Sequence, residues 1–196
     1  MIRAWIDTET TGTVKERHAI IEIGVLIEIE GTVVDRRTFN CKPLPGKKMA
    51  PAAFESHGIT LEQIRAFPNP HEAKHALVEF FKEYINPFKK HKTEINDKLM
   101  FWGYNARFDY DFMRQWFKEL GDKFFGGLFW FPPHDVMEII ADRHEAHQNI
   151  FPSFSLEEMT EFFGVSVDKE KLHGALYDIE LTRKVYYASK ELPKIS

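Results

Sequence analysis

The chain has 196 residues, 26 basic against 30 acidic side chains for a net charge of −4, and 43% hydrophobic and 29% charged residues. That length buries a full core unaided, and the composition excludes a disordered chain or a spanning helix, which needs roughly 20 consecutive apolar residues; the charge excludes a strongly basic binder of polyanions. The single Cys41 offers no internal disulfide or thiolate metal cage, and a strand pattern from Ile2 leaves no room for an export signal, so a reducing, cytoplasmic setting is expected.

In chain order, Ile2 to Asp7 reads as a strand. Ile21, Ile23, Val25, Ile27 and Ile29 then alternate with Glu22, Gly24, Leu26, Glu28 and Glu30, which predicts a long strand with one buried face. Glu30-Gly31 reads as a turn into a third strand, Thr32 to Cys41, so the N-terminal third is a three-stranded meander. Thr60 with Gln63 forms a capping box opening a short helix, closed by Pro68-Asn69-Pro70. Ala73, Ala76, Leu77, Phe80, Phe81 and Tyr84 recur at helical spacing until Pro87. Leu99 to Tyr104 is a buried strand and Phe108 to Leu120 a helix ended by Gly121. Phe124 to Pro133 is a dense aromatic run broken by glycines and prolines, read as core in preference to a partner surface. Helices over Val136 to His144, Leu156 to Phe163 after a Ser155/Glu158 capping box, and Ala175 to Lys190 finish the chain. No repeat or linker divides it, so one α/β domain over 1–196 is expected.

Three short segments carry candidate chemistry. Asp7-Thr8-Glu9-Thr10-Thr11-Gly12 ends the first strand, and residues two apart on a strand share a face, so Asp7 and Glu9 would present adjacent carboxylates. Such like charges repel unless a cation lies between them, although a bare D-x-E is more often an acidic turn, here with Gly12 as its corner. Asn105-Ala106-Arg107-Phe108-Asp109 places Asp109 at a strand-to-helix junction, where α/β sites are built, with Asp111 as a competitor. His173-Gly174-Ala175-Leu176-Tyr177-Asp178 sets a titratable base beside a carboxylate at the start of the last helix.

Together these segments resemble the DEDDh branch of the 3′-5′ exonuclease superfamily, the group that includes proofreading epsilon subunits, ribonuclease T and oligoribonuclease. Asp7 and Glu9 match the first family motif, Asp109 the second, and His173 with Asp178 the third. Ser56-His57-Gly58-Ile59-Thr60 resembles the "HGIT" segment, Ile20-Ile21-Glu22-Ile23-Gly24 the second strand, and Ser155-Leu156 the pre-helix step. Tyr104 stands where many members carry His. The resemblance implies a ribonuclease H-like α/β fold, a mixed five-stranded sheet flanked by helices. It implies hydrolysis at the 3′ end of single-stranded DNA by two divalent ions, releasing nucleoside 5′-monophosphates. Asp7, Glu9, Asp109 and Asp178 would hold two Mg²⁺ or Mn²⁺ ions, which are hard cations suited to oxygen ligands, and His173 would be the general base. Thr10, Thr11, His57, Ile59 and Phe108 would contact the terminal nucleotide. Arg107, Arg114 or the run Lys89-Lys90-His91-Lys92 could meet phosphates, though a solvated loop is the plainer reading of the run. The epsilon-like Thr8-Glu9-Thr10-Thr11-Gly12 favours DNA over RNA, with a polymerase or another replication or repair protein as a further partner and no membrane.

Rival readings are an RNA-trimming or oligoribonucleotide exonuclease of the same fold and a non-catalytic nucleic-acid-binding module. A third comes from His71-Glu72-Ala73-Lys74-His75, which matches the H-E-x-x-H helix of zinc proteases. That motif begins directly after Pro70, at a fraying first turn, and its nearest extra carboxylate, Glu94, lies beyond Pro87. Four carboxylates assigned to one site leave 26 acids against 26 bases elsewhere, since 30 less 4 is 26.

Overall fold

The computed structural model describes residues 1–143, 153–168 and 172–191. Five strands form one mixed sheet in the order β3-β2-β1-β4-β5, with β1 Ile2–Thr10, β2 Ile20–Ile29, β3 Thr32–Asn40, β4 Leu99–Gly103 and β5 Phe129–Asp135. The meander β1-β2-β3 is antiparallel, whereas β4 runs parallel to β1 and β5 parallel to β4. The expected five-stranded mixed sheet is present.

The helices are α1 Pro51–His57, α2 Leu61–Ala66, α3 Pro70–Lys82, α4 Ala106–Glu119, α5 Phe125–Leu128, α6 Val136–Arg143, α7 Leu156–Phe162 and α8 Ala175–Glu191. One cap is as predicted and one is half made. Thr60 and Gln63 exchange both capping-box hydrogen bonds at α2, whereas at α7 the Ser155 hydroxyl accepts the Glu158 N–H but the Ser155 N–H donates to the Ser153 hydroxyl. α1, which the sequence reading lacked, starts at Pro51 and ends at Gly58, whose φ of 67° is the left-handed cap that glycine adopts without strain. The helix predicted to reach His144 is described to Arg143; His144 itself lies outside the described residues.

Two layers cover the sheet. On one face Ile6, Val25 and Phe101 pack with Leu77 and Phe81 of α3 and Met113 and Phe117 of α4. On the other, Trp5, Leu26 and Trp102 pack with Ile140 of α6, Met159 of α7 and Ile179 and Val185 of α8. This second layer corrects the expected single buried face of β2. Leu26 and Glu28 are each only 1% exposed because α8 lies over them. The Glu28 carboxylate is matched there by Arg3 and Arg183, each at 2.6 Å, and by the Tyr187 hydroxyl at 2.7 Å, as a buried charge requires.

The aromatic run divides. Phe125, Leu128 and Phe129 are core, as read, but Phe124 and Phe131 are 68% and 62% exposed, and the run ends as β5 despite Pro132 and Pro133. Proline lacks the ladder N–H, but β5 is an edge strand with one paired side, so the loss is tolerated. No helix among the described residues is long and apolar enough to cross a membrane.

Candidate active site

β1 continues past Asp7 to Thr10, so Asp7 and Glu9 are strand residues pointing to one face, opposite Gly24 and Glu22 of β2 respectively. That is the α8 face. Gly24 permits the approach: a Cβ there would lie 2.4 Å from the Ala175 carbonyl carbon and the Leu176 nitrogen. Glu22 completes the seat, its Oε1 accepting the Ala175 N–H at 3.1 Å while Oε2 accepts from Asn40 at 2.8 Å. One turn on, Asp178 reaches the strand carboxylates. One oxygen each from Asp7, Glu9 and Asp178 lies within 4.8 Å of the others.

Asp109 arrives from the opposite layer. Gly103 ends β4 with room for α4 close beneath β1, since a Cβ there would sit 2.9 Å from the Ile6 carbonyl oxygen. Asn105 turns the chain with φ of 53°, and Asp135 accepts both the Asn105 N–H and the Met137 N–H at 3.0 Å. Asp109 is then 3% exposed, and its Oδ1 accepts the Thr8 N–H at 3.0 Å and the Thr8 hydroxyl at 2.7 Å. The competitor Asp111 faces outward in an ion pair with Arg107 at 3.3 Å.

The electrostatics follow from this crowding. Burial pushes Asp7 well above the usual carboxylate range, and Asp109, Glu9, Asp178 and Glu22 add to the rise. Glu9 is pushed up to about 8 by burial, then by Asp178, Glu22 and Asp109. Burial raises Asp109 to about 7 against the opposing Thr8 hydrogen bonds, and raises Asp178 against the opposing influence of His173. Carboxylates forced together in this way either hold protons or neutralise a cation. With only oxygen donors converging, the cation that fits is a hard divalent one.

The family model for RNase_T exonucleases matches residues 4–186. The chain belongs to that exonuclease family. It is a nuclease of the DEDDh 3′-5′ type, a hydrolase, and the acidic cluster sits in a family that uses divalent metals. Among relatives, it is 28% identical over 185 residues to the 3′-5′ DNA exonuclease Cap18 of Escherichia coli, covering 92% of this chain and 89% of that protein. It is 29% identical over 188 residues to the DNA polymerase III subunit epsilon of Pasteurella multocida, covering 92% of this chain and 65% of the subunit. The fold superposes on E. coli Exonuclease I in complex with a dT13 oligonucleotide with a TM-score of 0.76 and 20% identity, covering 97% of this chain and 41% of that one.

Of the remaining expected residues, His173 sits exposed at the mouth with φ of 65°, its N–H donating to Asp178 Oδ1 at 3.4 Å. His57 is 8% exposed; its Nδ1 accepts the Ile59 N–H at 2.9 Å and its Nε2 has no partner. Burial lowers its pKa, with Glu22 opposing. Ile59 and Phe108 are half-buried, and Phe108 packs at a tilt against Phe112 with ring centres 4.7 Å apart at the edge of a hollow beside Thr13 and Asn105.

The two threonine side chains are engaged within the protein. The Thr10 hydroxyl donates to the Gly12 carbonyl at 2.9 Å, and the Thr11 hydroxyl donates to the Lys48 carbonyl at 2.7 Å and accepts the Ala19 N–H at 2.9 Å. Thr11 is wholly buried, and its side chain holds the loop after β1. The lysine run is likewise structural in part: Lys89 pairs with Asp97 at 2.5 Å, and Lys92 donates to the Asn86 and Asp97 carbonyls. His71 and His75 are exposed on α3, and the one cluster of three or more potential ligands among the described residues is at Asp7, Glu9 and Asp178, so the H-E-x-x-H match gathers no metal site.

Thr8, Glu22 and Asp135 are the groups that sequence reasoning missed. Glu22 alone had a signal, as a carboxylate at a polar position of an otherwise buried strand.

Proposed function

We propose that this nuclease removes nucleotides from the 3′ end of single-stranded DNA, releasing nucleoside 5′-monophosphates, with two Mg²⁺ or Mn²⁺ ions held by Asp7, Glu9, Asp178 and Asp109. The observation that carries the reading is the convergence of Asp7, Glu9 and Asp178 within 4.8 Å, with buried Asp109 delivered beside them from the other layer. When bound, such a pair of ions supplies Lewis acidity at the attacking and leaving oxygens.

The protein residues divide the remaining work. The cluster gives up its protons as it takes on metal, so the raised pKa values disappear on loading. His173, exposed beside Asp178, accepts at a ring nitrogen the proton that the attacking water loses, and it must be neutral to do so. His57, Ile59 and Phe108 frame the sugar and base of the terminal nucleotide. A ring surface tolerates any base, which suits an exonuclease.

The relative Cap18, a 3′-5′ DNA exonuclease of which the chain covers 89%, and the dT13 complex of Exonuclease I support DNA over RNA. The epsilon-named relatives support a polymerase as partner, although the chain covers only 65% of the Pasteurella subunit and 12% of the PolC-type polymerase of Thermotoga maritima. Side-by-side digestion of DNA and RNA strands of one sequence tests the substrate: faster loss of the DNA is expected, and preferential loss of the RNA refutes it.

A further inference from the structure

Beyond the carboxylates, a broad hollow lies along the outer side of α4. Its volume is about 800 Å³, and Lys15, Arg107 and Asp111 line both it and the smaller hollow beside Phe108 and Asn105, so the two form one continuous groove. Arg107, Arg114 and Lys118 follow one stripe of α4, because steps of seven and four residues return to nearly the same side of a helix. At the helical rise they extend about 10 and 16 Å from Arg107, and Lys123 continues the line past the helix end.

The charge balance of this groove differs from that of the whole chain. Its three acids are already matched, Asp111 by Arg107 at 3.3 Å, Asp122 by Lys74 at 2.8 Å and Glu16 by Lys15 at 3.4 Å. Arg114, Lys118 and Lys123 are exposed and make no ion pair among the described residues. In contrast Lys47, Lys74 and Arg183 elsewhere are held by acids at 2.6 to 2.8 Å. Three uncompensated cations in a row, in a protein of net charge −4, form a local feature that complements a polyanion. Phe131 lines the same groove at 62% exposure, with the Arg107 guanidinium 5.6 Å from its ring centre, an apolar ring set among cations.

We propose that this groove is a second binding site, a track for the sugar-phosphate backbone of the strand 5′ to the nucleotide being cleaved. Arg114, Lys118 and Lys123 meet successive phosphates and Phe131 stacks on a base. The geometry gives the direction: Asp109, in the first turn of α4, bonds Thr8 between the two strand carboxylates, while Arg107, two residues earlier, opens the groove. A strand with its 3′ end at the carboxylates therefore leads its upstream nucleotides down α4. This rests on the proposed nuclease reading, but it makes a separate claim about strand length. A trinucleotide reaches little of the track, whereas a longer strand fills it.

The test compares the triple variant Arg114→Gln, Lys118→Gln, Lys123→Gln with the unaltered protein and with an equal loss of charge outside the groove, Arg36→Gln, Lys82→Gln, Lys184→Gln. Anisotropy of a labelled oligothymidylate of about 20 nucleotides in EDTA reads binding without turnover. Loss of three phosphate contacts weakens binding about tenfold or more and makes the slope of log affinity against log salt shallower by about 2. With metal, the ratio of kcat/KM on the long strand to that on a trinucleotide falls by a similar factor. An unchanged salt slope and length preference, or equal effects in the control variant, overturns the track. So does a groove variant that loses binding to polyglutamate alone, which would assign the surface to an acidic protein segment. If the groove variants weaken strand binding and length preference while RNA is digested in preference to DNA, the DNA reading fails and the track stands.

Discussion

Gly24→Ala puts a methyl carbon 2.4 Å from the Ala175 carbonyl carbon and the Leu176 nitrogen, about 1 Å inside ordinary contact. The obstacle is backbone, so rotamer changes cannot relieve it and the first turn of α8 must lift from β2. Overpacking of this kind costs about 1–3 kcal/mol, which for a chain of this length lowers Tm by roughly 2–12 °C. The larger effect falls on the site. Lifting α8 by about 1 Å stretches the bond from Ala175 N–H to Glu22, now 3.1 Å, and draws Asp178 away from Asp7 and Glu9. Misplacement on that scale lowers rates about a hundredfold. The assay is metal-dependent shortening of a 5′-labelled strand, alongside thermal unfolding to show that the protein stays folded. A folded Gly24→Ala protein with unaltered kcat/KM would refute the claim that this close approach positions Asp178.

Other predictions concern the carboxylates. Asp7→Asn removes one of several crowded like charges, so it should abolish turnover yet raise Tm in EDTA at pH 8; retained turnover removes Asp7 from the site. For metal-free protein, acids with raised pKa values hold their protons longer when folded than when unfolded. Stability therefore falls as pH rises from about 4.5 through about 8, the range set by Glu9, and the Tm gained on adding Mg²⁺ should grow across that range. An equal gain at both ends refutes that sign. Thr8→Val keeps the shape and the N–H donor but removes the 2.7 Å hydroxyl bond to Asp109, so the acid limb of the pH-rate profile should move upward, checked by rates across pH. His173→Ala should lower the rate by about 10²-fold or more while Mg²⁺-induced stabilisation persists; loss of that stabilisation would make His173 a ligand and not the base.

Motif order and strand parity were enough to bring Asp7 and Glu9 together from the sequence, because a strand alternates its faces regardless of what covers them. Asp109 was separable from Asp111 only by resemblance. The physical difference is that one α4 side chain turns inward to the Thr8 backbone and the other outward to Arg107, which depends on how α4 packs. The second buried face of β2 was hidden because Glu22, Glu28 and Glu30 read as solvent positions. In the fold Glu28 is neutralised by arginines 25 residues before it and 155 after it, partners that no local pattern reveals. β5 was obscured by its prolines, which only its edge position makes acceptable. Thr10 and Thr11 were singled out by resemblance alone, and the partners of their hydroxyls at Gly12, Ala19 and Lys48 emerge only when the chain after β1 folds back.

The central claim is that Asp7, Glu9, Asp109 and Asp178 form a metal-dependent site acting from the 3′ end. Its most direct measurement is a time course on a 5′-labelled single strand with Mg²⁺ or Mn²⁺, with and without EDTA. The account predicts a ladder of products shortening one nucleotide at a time, stopped by EDTA; internal fragments appearing at once, or cleavage indifferent to EDTA, would contradict it.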